Sequence, residues 1–339
     1  MGHSAGESQA FGKGRGGPHL QIADLVPSIA SAVRWSLPPL DPGIRPQSLT
    51  NLLPTIPAVE SALLPHSRRA ITAINRVLAG RPYVAPSEST RRTRAYSRVA
   101  LAVDRAALFL GGHDVATAPM KWLLRAGGAR RRMGELLATW SPSPRGLFHN
   151  RAAVGWLYAL GGLDVARRGF IPLSDVITSP IPRRIDADRA RRWCESLIAE
   201  DMSDEIVRLL RSLKDIRIRG ALSPNPIFGG IGPILGSDGD WVVADTLVEL
   251  KCVVDGVKRR HVAQLVCYHA LGQLADRRED LPPFSRLALC LPRQSATITG
   301  TVNEWLYAFG APCSEIVVDA LHRCFDPQDF AGRLARASQ

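Results

Sequence analysis

One segment constrains the fold more than any other: Gly239-Asp240-Trp241-Val242-Val243-Ala244-Asp245-Thr246-Leu247-Val248-Glu249-Leu250-Lys251. Two short runs rich in β-branched and large apolar residues flank Ala244-Asp245, a pattern that predicts a hairpin with a two-residue loop. In that register Val243 faces Thr246, Val242 faces Leu247, Trp241 faces Val248 and Asp240 faces Glu249. Opposed residues of an antiparallel pair project from the same face, with Cβ atoms about 5 Å apart. Lys251 lies two residues beyond Glu249 and shares its face. Trp241, Val243, Val248 and Leu250 point the other way, into a core. Two carboxylates and an ammonium thus converge on one side of an otherwise apolar hairpin. Ala-Asp is a poorer tight turn than Asn-Gly, and one extra loop residue would break the register.

Adjacent carboxylates repel unless a cation sits between them. The hard-cation solution is Mg²⁺, held by one or two carboxylates and completed by water and phosphate oxygens. Lys251 would then stand where it can orient an attacking water or stabilise charge on a phosphate. Farther on, Gln264 and Tyr268 are four residues apart and share a helix face, where both can hydrogen-bond a phosphate or steady the ammonium. Arg259 and Arg260 just before them add positive charge. The competing reading of Asp240, Glu249 and Lys251 is a salt-bridge ladder on a half-exposed hairpin. Of the neighbours, Asp245 reads as a turn residue and Asp238 as a strand-entry residue or outer-shell ligand. His261 is expected to be solvated, His269 to lie in the core, and Arg293 to lie on the surface.

The rest of the chain supplies context. Its 339 residues carry 43 Lys+Arg against 31 Asp+Glu, a net charge of +12. Such an excess favours polyanionic partners, because neutralising phosphates releases counterions; the bland alternative is an incidental Arg-rich composition. The clusters Arg91-Arg92-Thr93-Arg94, Arg130 to Arg132, Arg167-Arg168, Arg183-Arg184 and Lys258 to Arg260 are dispersed, which suits a folded surface better than a basic arm. A hydrophobic content of 45% excludes a wholly disordered chain. No apolar run approaches the roughly 18 residues of a membrane helix. Residues 1–18 lack the apolar centre of a secretory signal, so no membrane association and a cytoplasmic location are expected. The six cysteines show no CxxC spacing and read as buried free thiols, and no histidine spacing suggests zinc. Gly12-Lys13-Gly14 lacks the spacing and the following Ser or Thr of a phosphate loop, and the glycines from 229 to 236 precede a strand where a dinucleotide site needs a helix.

Helical periodicity runs over Ala58–Leu78, Thr90–Leu110, Met120–Trp140, Arg151–Leu163 and Asp188–Leu213, with one short helix near Ile22–Trp35. After about residue 218 short strands take over (241–243, 247–254 and 287–291), with helices at 261–275 and about 302–309. The segment from Cys313 to Leu334 reads as a strand or helix followed by a closing helix. The organisation expected is a flexible tail (1–19), a mainly helical basic region (20–190) and a mixed α/β core with a C-terminal helical closure (191–339).

Asp240, then Glu249-x-Lys251, then Gln264-x-x-x-Tyr268 resembles the PD-(D/E)XK nuclease superfamily, in particular its RecB-like branch with a Gln-x-x-x-Tyr helix. The glycine-rich approach from Phe228-Gly229-Gly230 to Gly236 is similar to bacterial members. The likeness covers roughly residues 224–295, and Gly239 stands where the family usually has Pro. It implies a restriction-endonuclease-like mixed central sheet flanked by helices, and Mg²⁺-dependent hydrolysis of phosphodiester bonds, most naturally of DNA, with Mn²⁺ as a substitute ion. It further implies Asp240, Glu249 and the Leu250 carbonyl as metal ligands, Lys251 as the catalytic lysine, and Gln264 and Tyr268 as supporting residues. The family often adds an acid from its first core helix, for which Glu200 and Glu205 are candidates. The alternative on the same fold is a nucleic-acid-binding protein that has lost hydrolysis.

Overall fold

The computed structural model describes residues 19–26, 36–38, 49–167, 179–215, 222–229, 231, 234, 237–274 and 283–325. Residues 1–18 of the expected tail (1–19), most of the 22–35 segment and Arg168 lie outside the described residues, as does everything beyond 325, while His19 begins a strand.

Eight strands occur among these residues: β1 (His19–Gln21), β2 (Leu222–Pro224), β3 (Ile227–Phe228), β4 (Ser237–Asp238), β5 (Trp241–Val243), β6 (Thr246–Leu250), β7 (Arg286–Leu291) and β8 (Ala296–Thr301). Six form one mixed sheet in the order β1-β8-β7-β6-β5-β2, and β3 pairs with β4 in a separate ribbon. The β5–β6 hairpin has the two-residue loop and the register read from the sequence: Val243 opposite Thr246, Val242 opposite Leu247, Trp241 opposite Val248. Ala244 takes a positive φ of 52° to close it. Asp245 ties the hairpin tip to β7, its backbone carbonyl accepting from the Ser285 and Arg286 N–H groups and its side chain from the Ser285 hydroxyl.

β6 and β7 run parallel, which requires a crossover, and the helix Arg259–Leu274 supplies it. β7 turns back into β8 through a short 3₁₀ turn at Pro292–Gln294. The sheet is thus buried on both faces. Val242, Leu247, Leu287, Leu289 and Ile298 pack with Arg259–Leu274, with Ile22, Val26 and apolar side chains between Leu49 and Leu78, and with the C-terminal helices Val302–Ala308 and Ser314–Phe325. Trp241, Val243, Val248, Leu250, Ala288 and Cys290 pack with the helices between Tyr96 and Leu210. The architecture is α/β: a mixed sheet flanked by helices, with a helical N-terminal region.

Four of the long helical patterns fold as two pieces each. Ala58–Leu78 becomes Pro57–Leu63 and Ser67–Ala79, parted at Pro65. Thr90–Leu110 becomes Glu88–Thr93 and Tyr96–Leu110, where Arg94 adopts the left-handed conformation that ends the first piece. Met120–Trp140 splits at Gly127-Gly128 into Thr117–Leu124 and Gly128–Thr139, and Asp188–Leu213 into Ala187–Ser196 and Glu200–Asp215. Arg151–Arg167 is continuous. Its Gly155 lies so close to the Ala187–Ser196 helix that a Cβ there would stand 1.9 Å from the Cys194 carbonyl oxygen. All six cysteines are free thiols, five of them buried. Among the described residues no helix is long and apolar enough to cross a membrane.

Candidate active site

The acids and the lysine sit where the hairpin leaves the sheet. One step beyond the Trp241–Val248 pair puts Asp240 opposite Glu249. The Asp240 carboxylate turns toward β6 and accepts a hydrogen bond of 2.6 Å from the Leu250 N–H. Glu249 is 3% exposed and ion-paired through Oε1 with the Lys251 ammonium, while its Oε2 is buried with no hydrogen-bond partner among the described residues. Lys251 is fixed in turn by its backbone, whose N–H donates to the Cys290 carbonyl at 2.8 Å. The expected salt-bridge contact between Glu249 and Lys251 exists, but the acid is buried rather than laid on an open surface.

Burial, and then the charge of Asp240, push the Glu249 carboxyl up to about 8. Burial works against the Lys251 ammonium, but the Glu249 and Asp240 charges outweigh it and raise its pKa. A third acid, Asp104 on the Tyr96–Leu110 helix, is pushed up to about 7 by burial and then by Asp240. Trp241 Nε1 donates to the Asp104 carboxylate at 3.0 Å, which couples this helix to the start of β5. Sequence reasoning missed Asp104; its signal was a charged pair, Asp104-Arg105, inside the apolar run Val99–Leu110.

The Arg259–Leu274 helix brings Gln264 and Tyr268 to the same region. Gln264 Nε2 donates to the Tyr268 hydroxyl at 2.6 Å, and the Ser237 hydroxyl approaches that oxygen at 3.5 Å. Phe228 of the small ribbon stacks on the Tyr268 ring at 4.9 Å. The tyrosine pKa is raised by burial and, next, by the Glu249 charge, so its hydroxyl stays protonated beside the acids.

Two placements differ from expectation. His261 is buried, not solvated: its Nδ1 accepts from the Lys258 N–H at 3.1 Å, and burial together with Lys251 and Arg260 depresses it to about 3, leaving a neutral ring. Arg293 is fully buried, not a surface arginine, because Glu205 and two backbone carbonyls satisfy its guanidinium. Glu205 is consumed by that pair and by Ser87 and Thr90, whereas Glu200 is exposed beside Arg151. His269 is in the core, bonded at 2.6 Å to Ser314. Asp245 is a turn residue, and the side chain of Asp238 lies outside the described residues.

The donor set suits a hard divalent cation: carboxylate oxygens, one of them buried and without a partner, with mutual repulsion that positive charge would offset. Among the described residues no cluster of three or more His, Cys, Asp or Glu side chains is arranged to hold a metal ion, so the candidates are an acid pair and a neighbouring backbone carbonyl. Comparison with family models, with curated proteins and with solved structures returned no match.

Proposed function

We propose that this chain is a metal-dependent nuclease related to the PD-(D/E)XK superfamily, hydrolysing phosphodiester bonds, foremost in DNA. The observation that carries the reading is the conjunction at the hairpin base: Asp240 beside Glu249, Lys251 in contact with the latter, and a buried carboxylate oxygen left uncapped. In this reading Asp240, Glu249 and the Leu250 carbonyl hold Mg²⁺, for which Mn²⁺ can substitute. The bound ion supplies Lewis-acid neutralisation of charge at the scissile phosphate. Lys251 orients the attacking water and stabilises the charge that builds on phosphate oxygen. The Gln264–Tyr268 hydrogen bond fixes two buried polar groups beside the acids, and the phenol remains protonated there. The resemblance implies a 5′-phosphate product. A mixed sheet flanked by helices, with the parallel β6–β7 crossover carrying Gln264 and Tyr268, is compatible with a restriction-endonuclease-like core.

A second reading, a nucleic-acid-binding protein without hydrolysis, is favoured by the ion pair that engages Lys251 with Glu249. Incubation with supercoiled, linear and single-stranded DNA, in Mg²⁺ or EDTA, separates the two. Hydrolysis needs Mg²⁺ and is abolished by Lys251→Ala; cleavage that persists in that variant would place the chemistry elsewhere.

A further inference from the structure

The polar face of the Ser67–Ala79 helix has no part in the site described above. Ala70, Ile74 and Leu78 face the core, while Arg68, Thr72 and Arg76, at i, i+4 and i+8, line the opposite side and are exposed. Two adjoining concavities of about 480 and 680 Å³ share Arg68 and Thr72; the first is closed by Lys258, Arg259 and Arg260, and the second runs on past Arg69 to Arg76. Glu60 lies in the first, but Arg259 Nε holds it at 2.8 Å. Lys258 pairs with Asp255, whereas among the described residues Arg68, Arg69, Arg76 and Arg260 pair with no carboxylate.

This face is fastened to the site. Asn75 Nδ2 donates to the Val257 carbonyl at 3.0 Å, and its Oδ1 accepts from the Val257 N–H at 2.9 Å. The loop so clamped is the one that leads from Lys251 to the Arg259–Leu274 helix, and Gly256, at φ 80°, lets its backbone pack directly on Asn75. Arg260 is close enough to act electrostatically on Lys251. From Arg68 to Arg76 the helix rises about 12 Å, the axial span of about three to four nucleotides of a duplex strand.

We propose that this arginine-lined trough is the track by which one strand of nucleic acid reaches Lys251, its phosphates held by Arg68, Arg76 and Arg260. The inference rests on the nuclease reading and adds where the substrate lies. Phosphate contacts of this kind position a strand without reading its sequence, so the track is indifferent to base composition.

The test measures binding to labelled DNA and RNA, duplex and single-stranded, in EDTA across a salt series, and cleavage in Mg²⁺. Arg68→Ala/Arg76→Ala is compared with Arg68→Lys/Arg76→Lys and with Arg183→Ala/Arg184→Ala, an equal loss of charge on the helical region. The track predicts that the first pair weakens binding about tenfold at low salt and lowers the slope of log K against log[salt] by about 2. It also predicts that the lysine pair restores most binding and that the Arg183/Arg184 pair changes little. Unaltered binding and Mg²⁺-dependent cleavage in the first pair would overturn the track and leave the nuclease reading standing. Binding lost as predicted, with no cleavage by the parent under any divalent ion, would support the track and sink the nuclease reading. Retention on phosphatidylserine vesicles in preference to every nucleic acid would overturn the track as well.

Discussion

Replacing Arg293 by methionine probes the buried framework that holds the site. Arg293 and Glu205 are both fully buried, and their ion pair is completed by guanidinium bonds to the Cys252 carbonyl at 3.1 Å and the Val84 carbonyl at 2.9 Å. Because Cys252 follows Lys251, the same guanidinium steadies the segment that presents the lysine. In the Met variant Glu205 keeps only its bonds from the Ser87 N–H and the Thr90 hydroxyl. A stranded buried carboxylate either stays charged at a cost of about 3–5 kcal/mol or takes up a proton. From an ordinary value of 4.5, protonation at pH 7 costs about 3.4 kcal/mol, at about 1.36 per pH unit. The cheaper route sets the expected destabilisation, about 3–3.4 kcal/mol at pH 7, and it should shrink by about 2–3 kcal/mol on going to pH 5, where protonation is easier. The parent behaves oppositely. Burial pushes Glu205 up, but the Thr90, Ser87 and Arg293 bonds outweigh it and hold its pKa below the usual value. That contribution is complete above about pH 4.5 and is lost as pH falls through the depressed folded value. Urea unfolding followed by tryptophan fluorescence, at pH 7 and pH 5, measures both. A cost below about 1 kcal/mol at pH 7, or one equal at the two pH values, would refute the reasoning.

Three further perturbations follow from the same structure. Gly155→Ala should lower stability by about 2–3 kcal/mol, read as a fall in urea midpoint, because the new methyl meets the Cys194 carbonyl. Ala244→Gly should raise stability by about 0.5–1 kcal/mol, since alanine at φ 52° carries a left-handed strain that glycine lacks; an unchanged melting temperature would argue that the loop relaxes. Glu249 binds its proton more tightly folded than unfolded, so parental stability should decline as pH rises from about 4.5 toward about 8, and Glu249→Gln should flatten that decline in thermal melts without metal.

The hairpin was legible because its information is local: alternation on either side of Ala244-Asp245 fixes both register and face. The Gln264 and Tyr268 pair was legible for the same reason, four residues on one helix. What depends on distant partners was not. β8 lies in Ser295-Ala296-Thr297-Ile298-Thr299-Gly300-Thr301, a polar-looking run that becomes a buried strand only because β7 and β1 sit on either side of it. β1 is three residues near the start of the chain, and no local pattern announces its pairing with Thr297–Thr299. Arg293 looks like a surface residue until Glu205, 88 residues earlier in the chain, is brought against it. Asp104 belongs to the same class: Trp241 and Asp240, more than 130 residues later in the chain, are brought against it by the packing of its helix on the sheet.

Calorimetric titration of the purified chain with Mg²⁺ or Mn²⁺, beside Asp240→Asn and Glu249→Gln, addresses the acid pair directly. The parent should take up a divalent ion that either substitution removes, with binding growing tighter from pH 6 to pH 8 as Glu249 gives up its proton. Equal uptake by all three proteins, or none by the parent, would contradict the assignment of these two carboxylates to a shared metal.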